Sequence, residues 1–309
     1  MKLKKIGLAL ALSGLVATGA QAKEGGDQYP NGAENWLAGA LPPPGDYFLN
    51  YFGYYDGQLR DGDGDKVPGT GATAWFDALR YVKVTDIKVL GGNLAMHMIV
   101  PVAHQSLNLG GGSASKTGLG DIIFTPLAIG WHEGDLHWIA TLEFYAPTGK
   151  YVSGDGRKSI GANYWAIEPV FGITWLPQSG WEVSARFMYN IKGKNSDFRP
   201  APGAPKMDYE SGDDFHMDFL VGKRFGPWGV GLSGYYLNQT TSDKLEGDRI
   251  SSAIGPWSDG RKGKVFAIGP SVIYTNPTGT MFIGQWQHET NVKNRFSGDK
   301  LWFKLIMPL

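Results

Sequence analysis

Any chemistry in this chain would rest on carboxylates, histidines and hydroxyls, because its 309 residues include no cysteine. That excludes Cys nucleophiles, Cys-ligated zinc, iron–sulfur clusters and disulfides. Asp61-Gly62-Asp63-Gly64-Asp65 spaces three carboxylates as a calcium loop does. An EF-hand would need Gly and Glu where Lys66 and Ala72 stand. Asp61, Asp63 and Asp65 are therefore a weak calcium candidate, set against a solvated loop or contacts that bridge to lipopolysaccharide. His104 and Ser106 share one face of an extended chain, with Asn108 nearby, as a lipid hydrolase would need. Neither a group to orient the base nor oxyanion donors can be read beside them. Gly231-Leu232-Ser233-Gly234-Tyr235 lacks the last glycine of a nucleophile elbow, and Lys158-Ser159 lacks the Walker glycines. The six histidines are scattered, and none pairs at helical metal-binding spacing. No catalytic residue and no cofactor is expected.

Composition points to what must position these groups. Lys+Arg and Asp+Glu are 29 each, so the net charge is zero and nucleic acid is not an expected partner. Charged residues are 19%, below the usual quarter or so, while aromatics reach 13% and glycines number 45, which favours sheet over helix. Lys2, Lys4 and Lys5, a short apolar run over 6–16 and Ala20-Gln21-Ala22 form a secretory signal peptide over 1–22. The apolar run is too short to span a bilayer, and no Cys follows it to carry a lipid. An exported chain of this kind is either soluble or embedded as a β-barrel.

From residue 47 the chain breaks into about twelve segments, each near the length of a tilted membrane strand. In Leu136–Ala146 one face is Leu136, Trp138, Ala140, Leu142 and Phe144, and the other includes His137, Thr141, Glu143 and Tyr145. Over 181–191 Trp181, Val183, Ala185 and Phe187 oppose Glu182, Ser184, Arg186 and Met188. The segments 76–89 and 121–131 do not resolve into two faces. Short turns (91–93, 132–135, 177–180, 226–227, 276–280) alternate with long polar links (56–75, 103–120, 147–163, 192–213, 239–263, 289–300). That is the outer-membrane pattern, with both termini in the periplasm. Trp and Tyr near segment ends supply the aromatic belts. The last segment alternates Leu301, Phe303, Leu305, Met307 and Leu309, as an insertion-machinery signal does, although it ends on Leu rather than an aromatic. The reading is an all-β, up-and-down antiparallel transmembrane barrel over 47–309 in the outer membrane of a Gram-negative bacterium. Residues 23–46 form an N-terminal periplasmic segment ahead of it. Outer-membrane lipid, lipopolysaccharide and the insertion machinery are its expected partners.

The run Leu41-Pro42-Pro43-Pro44-Gly45-Asp46-Tyr47-Phe48-Leu49-Asn50-Tyr51 resembles the opening of a proteobacterial outer-membrane family named for the phenol-degradation meta-pathway or for sphingosine induction. Gly118-Leu119-Gly120-Asp121, Pro126, Gly130-Trp131-His132, Ala146-Pro147-Thr148-Gly149-Lys150-Tyr151 and Gly269-Pro270 are similar to its later motifs. The resemblance implies an outer-membrane channel or transporter for hydrophobic compounds, and no catalytic residues.

Function is then expected in the lumen. Ionisable groups on the lipid face cost a few kcal/mol near the midplane, so they should point inward. His137, Glu143, Tyr145, Glu168, Arg186, Asp214, His216, Asp218 and Arg224 would line a substrate path, or merely pair and fill a narrow bore. The acidic excess favours a cationic or neutral solute. The segment 33–45, with Trp36, Leu37 and Leu41, is a bland tether or a lumen plug. The expected function is passive uptake of small hydrophobic or amphipathic compounds, aromatic hydrocarbons or sphingoid-type lipids. A general diffusion pore and an outer-membrane lipid hydrolase are the rivals.

Overall fold

A computed structural model describes residues 27–250 and 257–309. The signal-peptide reading over 1–22 lies outside the described residues. No helix among them is long and apolar enough to cross a membrane, so any crossing falls to strands.

The chain runs through β1 (Gly45–Arg60), β2 (Thr70–Val89), β3 (Gly92–Leu109), β4 (Ser113–Leu119), β5 (Ile122–Glu133), β6 (Leu136–Ala146), β7 (Ala166–Trp175), β8 (Trp181–Lys192), β9 (Lys194–Phe198), β10 (Met207–Glu210), β11 (Asp214–Phe225), β12 (Trp228–Gln239), β13 (Lys244–Leu245), β14 (Asp248–Arg249), β15 (Lys264–Thr275), β16 (Met281–Lys293) and β17 (Arg295–Pro308). Twelve of them pair antiparallel with their neighbours in the ring β1-β2-β3-β5-β6-β7-β8-β11-β12-β15-β16-β17, and β17 closes it on β1. Closure leaves no open edge. β4 continues β5 along β3 beyond a break at Gly120-Asp121. β9, β10, β13 and β14 make a separate small sheet on the long-loop side.

Period-two alternation puts one face inside. On β8, Glu182, Ser184, Arg186, Met188 and Asn190 are buried while Trp181 and Val183 are exposed. On β17, Lys300, Trp302 and Lys304 are inside, with Leu301 and Phe303 outside. The two segments that show no faces in sequence are explained by their backbones. β5 carries a register shift between Phe124 and Leu127, around Pro126, so its inward positions change from Ile123 and Thr125 to Ala128 and Gly130. Proline has no N–H for the ladder and sits naturally at such a bulge. β2 does alternate, but apart from Arg80 its inner face (Ala78, Val82, Val84) is as apolar as its outer one, because it packs on Ala33 and Leu41.

The register also locates the edge of the apolar band. Trp286, Leu301, Tyr54, Trp75 and His104 are cross-strand partners in one outer row. Two residues further toward the long loops, about 7 Å along the strands, the row is His288, Asp299, Asp56, Thr73 and Ser106. An aromatic row giving way to a polar one is a membrane boundary. The strands continue past it, which corrects the expected loops. β1 and β2 leave only 61–69 between them, and β16 and β17 are joined through Asn294 alone. Most outward side chains there are polar and only isolated inward ones such as Leu59 and Val292 are apolar, so the hydrophobic alternation weakens while the ladder continues. Asn294 takes a left-handed φ of 52°, a conformation that Asn tolerates, and its side chain bonds the backbone of Ser258 and Lys262.

Leu232 is exposed on the outer face of β12, among the exposed apolar side chains of Val230 and, across the strand pair, Val221. Leu232→Arg should destabilise the inserted barrel by about 2–4 kcal/mol, read by reversible urea unfolding in lipid vesicles.

Candidate functional site

The inside of the barrel is occupied by the chain's own N-terminal segment. Residues 27–44 precede β1 and run among the inward side chains of strands all around the ring. Asp218 on β11 accepts the Gly32 N–H at 2.8 Å, the Glu34 N–H at 3.0 Å and the Tyr29 hydroxyl at 2.8 Å. Glu182 on β8 accepts the Leu37 N–H at 2.5 Å. Thr174 on β7 accepts the Gly39 N–H at 2.9 Å. The Trp36 indole donates to Ser271 on β15 at 2.7 Å. Lys304 and Lys300 on β17 donate to the carbonyls of Ala33 and Asn31. Gln285 on β16 donates to Asn35 at 2.8 Å. Glycines on the wall make room: an added Cβ at Gly172 would lie 2.4 Å from the Ala38 carbonyl oxygen, and one at Gly130 would lie 2.7 Å from Leu41 Cβ. Leu37 itself sits at φ 59°, a strained conformation for a bulky residue.

Most of the residues singled out from sequence lie inside the wall in a network of four neighbouring clusters on β6, β7, β8 and β11. Glu168 accepts from Tyr145 at 2.9 Å, Asn190 at 2.8 Å and His216 at 2.9 Å. Arg186 pairs with Glu143, and His97 Nε2 lies 3.4 Å from the same carboxylate. Asp214 pairs with Lys192. Arg224 pairs with Glu182 at 2.8 Å and lies over the Trp36 ring at 5.1 Å. The Tyr29 ring packs 4.9 Å from His216, which joins the network to the segment.

Other positions fall elsewhere. His137 does not join the network. It lies at the short-turn end, half-exposed, with Nδ1 2.8 Å from that of His132. Asp61 accepts the N–H groups of Asp63, Gly64 and Asp65 with one oxygen and so serves its own turn. Among the described residues no group of three potential ligands is disposed to hold a metal ion. His104 bonds Thr117 at 2.7 Å and stacks on Trp75. It belongs to the outer aromatic row, with Ser106 in the polar row above it.

Sequence reasoning missed Glu34 and Arg80, which pair inside the barrel, with Tyr51 donating to Glu34 at 2.9 Å. Arg80 sits on β2, where no faces were legible, although an Arg among Leu, Tyr and Val was itself a signal. Burial would raise the Glu34 carboxyl, but Arg80 and Arg186 beside it hold it below the usual carboxylate range. Likewise Asp27, paired with Arg295 at 2.5 Å, is held low against the effect of its burial. The arrangement is one of acceptors and donors matched to a peptide backbone, which is binding chemistry.

The family model described as "MetA-pathway of phenol degradation" matches residues 57–305. The chain belongs to this family. Among solved structures, this family member is similar to an outer-membrane channel from Pseudomonas putida F1, at 14% identity and TM-score 0.72, over 87% of this chain and 97% of that one. It also resembles the transport unit of the autotransporter AIDA-I from Escherichia coli, at 10% identity and TM-score 0.53, over 90% and 95% of the two chains. A comparison with curated proteins finds no match. The closed twelve-strand ring, its apolar outer face and these likenesses make the family member an outer-membrane β-barrel.

The docked Glu34 holds its proton less tightly than a free glutamate. Docking is therefore favoured at neutral pH, and the contribution is lost as pH falls below the ordinary glutamate range toward the docked value. Hydrogen-exchange protection of the Gly32, Glu34 and Leu37 amides should fall on acidification. Glu34→Gln should lower protection at neutral pH and flatten that part of the dependence. Arg80→Met, which removes the ion-pair partner of Glu34, should cost more, roughly 3 kcal/mol.

Proposed function

We propose that this barrel is a passive outer-membrane channel for small hydrophobic or amphipathic compounds, and that residues 27–44 are its plug. The observation that carries the reading is the ring of contacts from Asp218, Glu182, Thr174, Ser271, Gln285, Lys304 and Arg80 to one segment. These side chains come from strands on every side, so the segment stands across the bore rather than along one wall. Membership of a family named for phenol degradation, and a fold shared with a protein titled an outer-membrane channel, support hydrophobic solutes over sugars or salts.

The mechanism follows from how the segment is held. Each hydrogen bond contributes about 0.5–1.5 kcal/mol net, and those to charged groups about 1.5–3. Such a set keeps the closed form dominant while leaving each contact exchangeable for water or solute. Asp218, His216 and Arg224 then act as part of the latch of the plug, while Glu143, Glu168, Arg186 and Asp214, which bond other wall residues, hold the wall behind it.

A deletion strain should take up simple aromatics or terpenoids more slowly at low concentration, and the wild-type gene should restore the rate. In planar bilayers the intact protein should pass little current, and a chain lacking 27–39 should give large, steady conductance. Large conductance from the intact protein would favour the general diffusion pore instead.

A further inference from the structure

His132 and His137 face each other across the β5–β6 hairpin, at the short-turn end of the barrel. The chain turns there through Gly134-Asp135 alone. Gly134 takes a φ of 56°, as the first central residue of a two-residue hairpin turn requires. Glu133 and Leu136 pair beside the turn, and His132 and His137 are the next pair. In such a hairpin the pair beside the turn exchanges hydrogen bonds and the next pair does not, which brings its side chains closest together. The frame is braced on both sides. Trp131 and Trp138 stack on the other face, with ring centres 6.1 Å apart. The Leu176 N–H donates to the Asp135 carbonyl in the turn at 2.8 Å. His132 is exposed and His137 half-buried, so both can be reached from solvent. Lys88, a cation near His132, is engaged with Asn93 Oδ1 at 2.6 Å.

The two Nδ1 atoms lie 2.8 Å apart. At that distance one ring donates its proton and the other accepts it. The same spacing also suits a chelate. Two nitrogens each about 2.0 Å from one ion stand about 2.8 Å apart at a right angle, and about 3.3 Å apart around a tetrahedral ion. The right angle belongs to tetragonal copper and nickel sites, and imidazole suits both metals. The other four histidines have other partners. His97 lies 3.4 Å from Glu143, and His216 bonds Glu168, His104 bonds Thr117 and His288 bonds Asp299. We propose that His132 and His137 form a two-imidazole site for a tetragonal divalent ion, Cu²⁺ or Ni²⁺, at the short-turn mouth of the barrel. The donor ring moves its proton from Nδ1 to Nε2, both Nδ1 lone pairs then point at the ion, and water fills its remaining positions. The site is independent of solute passage.

The test uses the full-length protein without a histidine tag, in detergent at neutral pH, because ligation needs neutral imidazole. Equilibrium dialysis is run against Cu²⁺, Ni²⁺, Zn²⁺ and Mg²⁺, with protein-free micelles as the control. Cu²⁺ should bind most tightly and Mg²⁺ not at all. Electron paramagnetic resonance of the Cu²⁺ form should show splitting from two nitrogens. His132→Ala and His137→Ala should each weaken Cu²⁺ binding at least about tenfold, since even the loss of an outer-shell partner costs that much. His288→Ala, at the opposite end of the barrel, should leave the affinity and the spectrum unchanged. His132→Gln and His137→Gln repeat the measurement should the alanine variants fold poorly. Unchanged Cu²⁺ affinity in the variants at 132 and 137 would place the ion elsewhere and overturn the proposal. So would a loss in His288→Ala equal to theirs, or a Cu²⁺ spectrum with no nitrogen splitting.

Discussion

A carboxylate sealed inside a β-barrel must find its hydrogen-bond donors there, and Asp218 finds them on the N-terminal segment: two backbone N–H groups and the Tyr29 hydroxyl. The same constraint, that a buried charge is tolerated only when matched, governs the rest of the interior. Glu182 takes the Leu37 N–H, Glu34 takes Arg80, and Lys300 and Lys304 take carbonyls of the segment. Barrel and segment are thus mutually dependent. Without the segment, several ionisable side chains would face each other or water across the bore, and without them the segment's polar backbone would have no reason to enter.

This interdependence explains the wall as well as its contents. Where the segment is apolar, at Ala33 and Leu41, the wall is apolar, with Ala78, Val82 and Val84 on β2. Where it exposes amides, the wall presents carboxylates and hydroxyls. Where the segment passes closest, the wall carries glycine: Gly172 against the Ala38 backbone and Gly130 against the Leu41 side chain. Higher up the wall turns to small apolar residues facing a polar side, and there a cavity remains.

The fold was legible wherever one face was polar and the other apolar. Trp181–Lys192 and Asp214–Phe225 declare their inner faces through Glu182, Arg186, His216 and Asp218, since only an inward position is cheap for them. Legibility failed for two physical reasons. On β2 the inner face matches an apolar partner, so both faces look alike. On β5 a bulge at Pro126 switches the parity midway. Strand ends were misjudged beyond the membrane, where lipid no longer selects residues and 56–60 and 289–293 read as loop. Of the interior, Glu143, Glu168, Arg186 and Asp218 could be named from one strand at a time. The pairing of Glu34 with Arg80 could not, because it joins residues 46 apart on elements with no shared periodicity. His137 shows the limit of parity alone, for it has the inward phase but lies at the rim.

The central claim is that the segment sits across the bore and must shift for a solute to pass. Because the chain has no cysteine, a single engineered disulfide can test this. Leu41→Cys with Gly130→Cys joins the segment to β5, at positions whose Cβ atoms would be close enough to bridge with a small adjustment. The measurement is uptake of an aromatic probe by cells carrying this pair, oxidised and then reduced. The account predicts that the bond forms in the folded protein, that uptake stops when it is closed, and that reduction restores it. Wild-type uptake through the fully oxidised protein would contradict it.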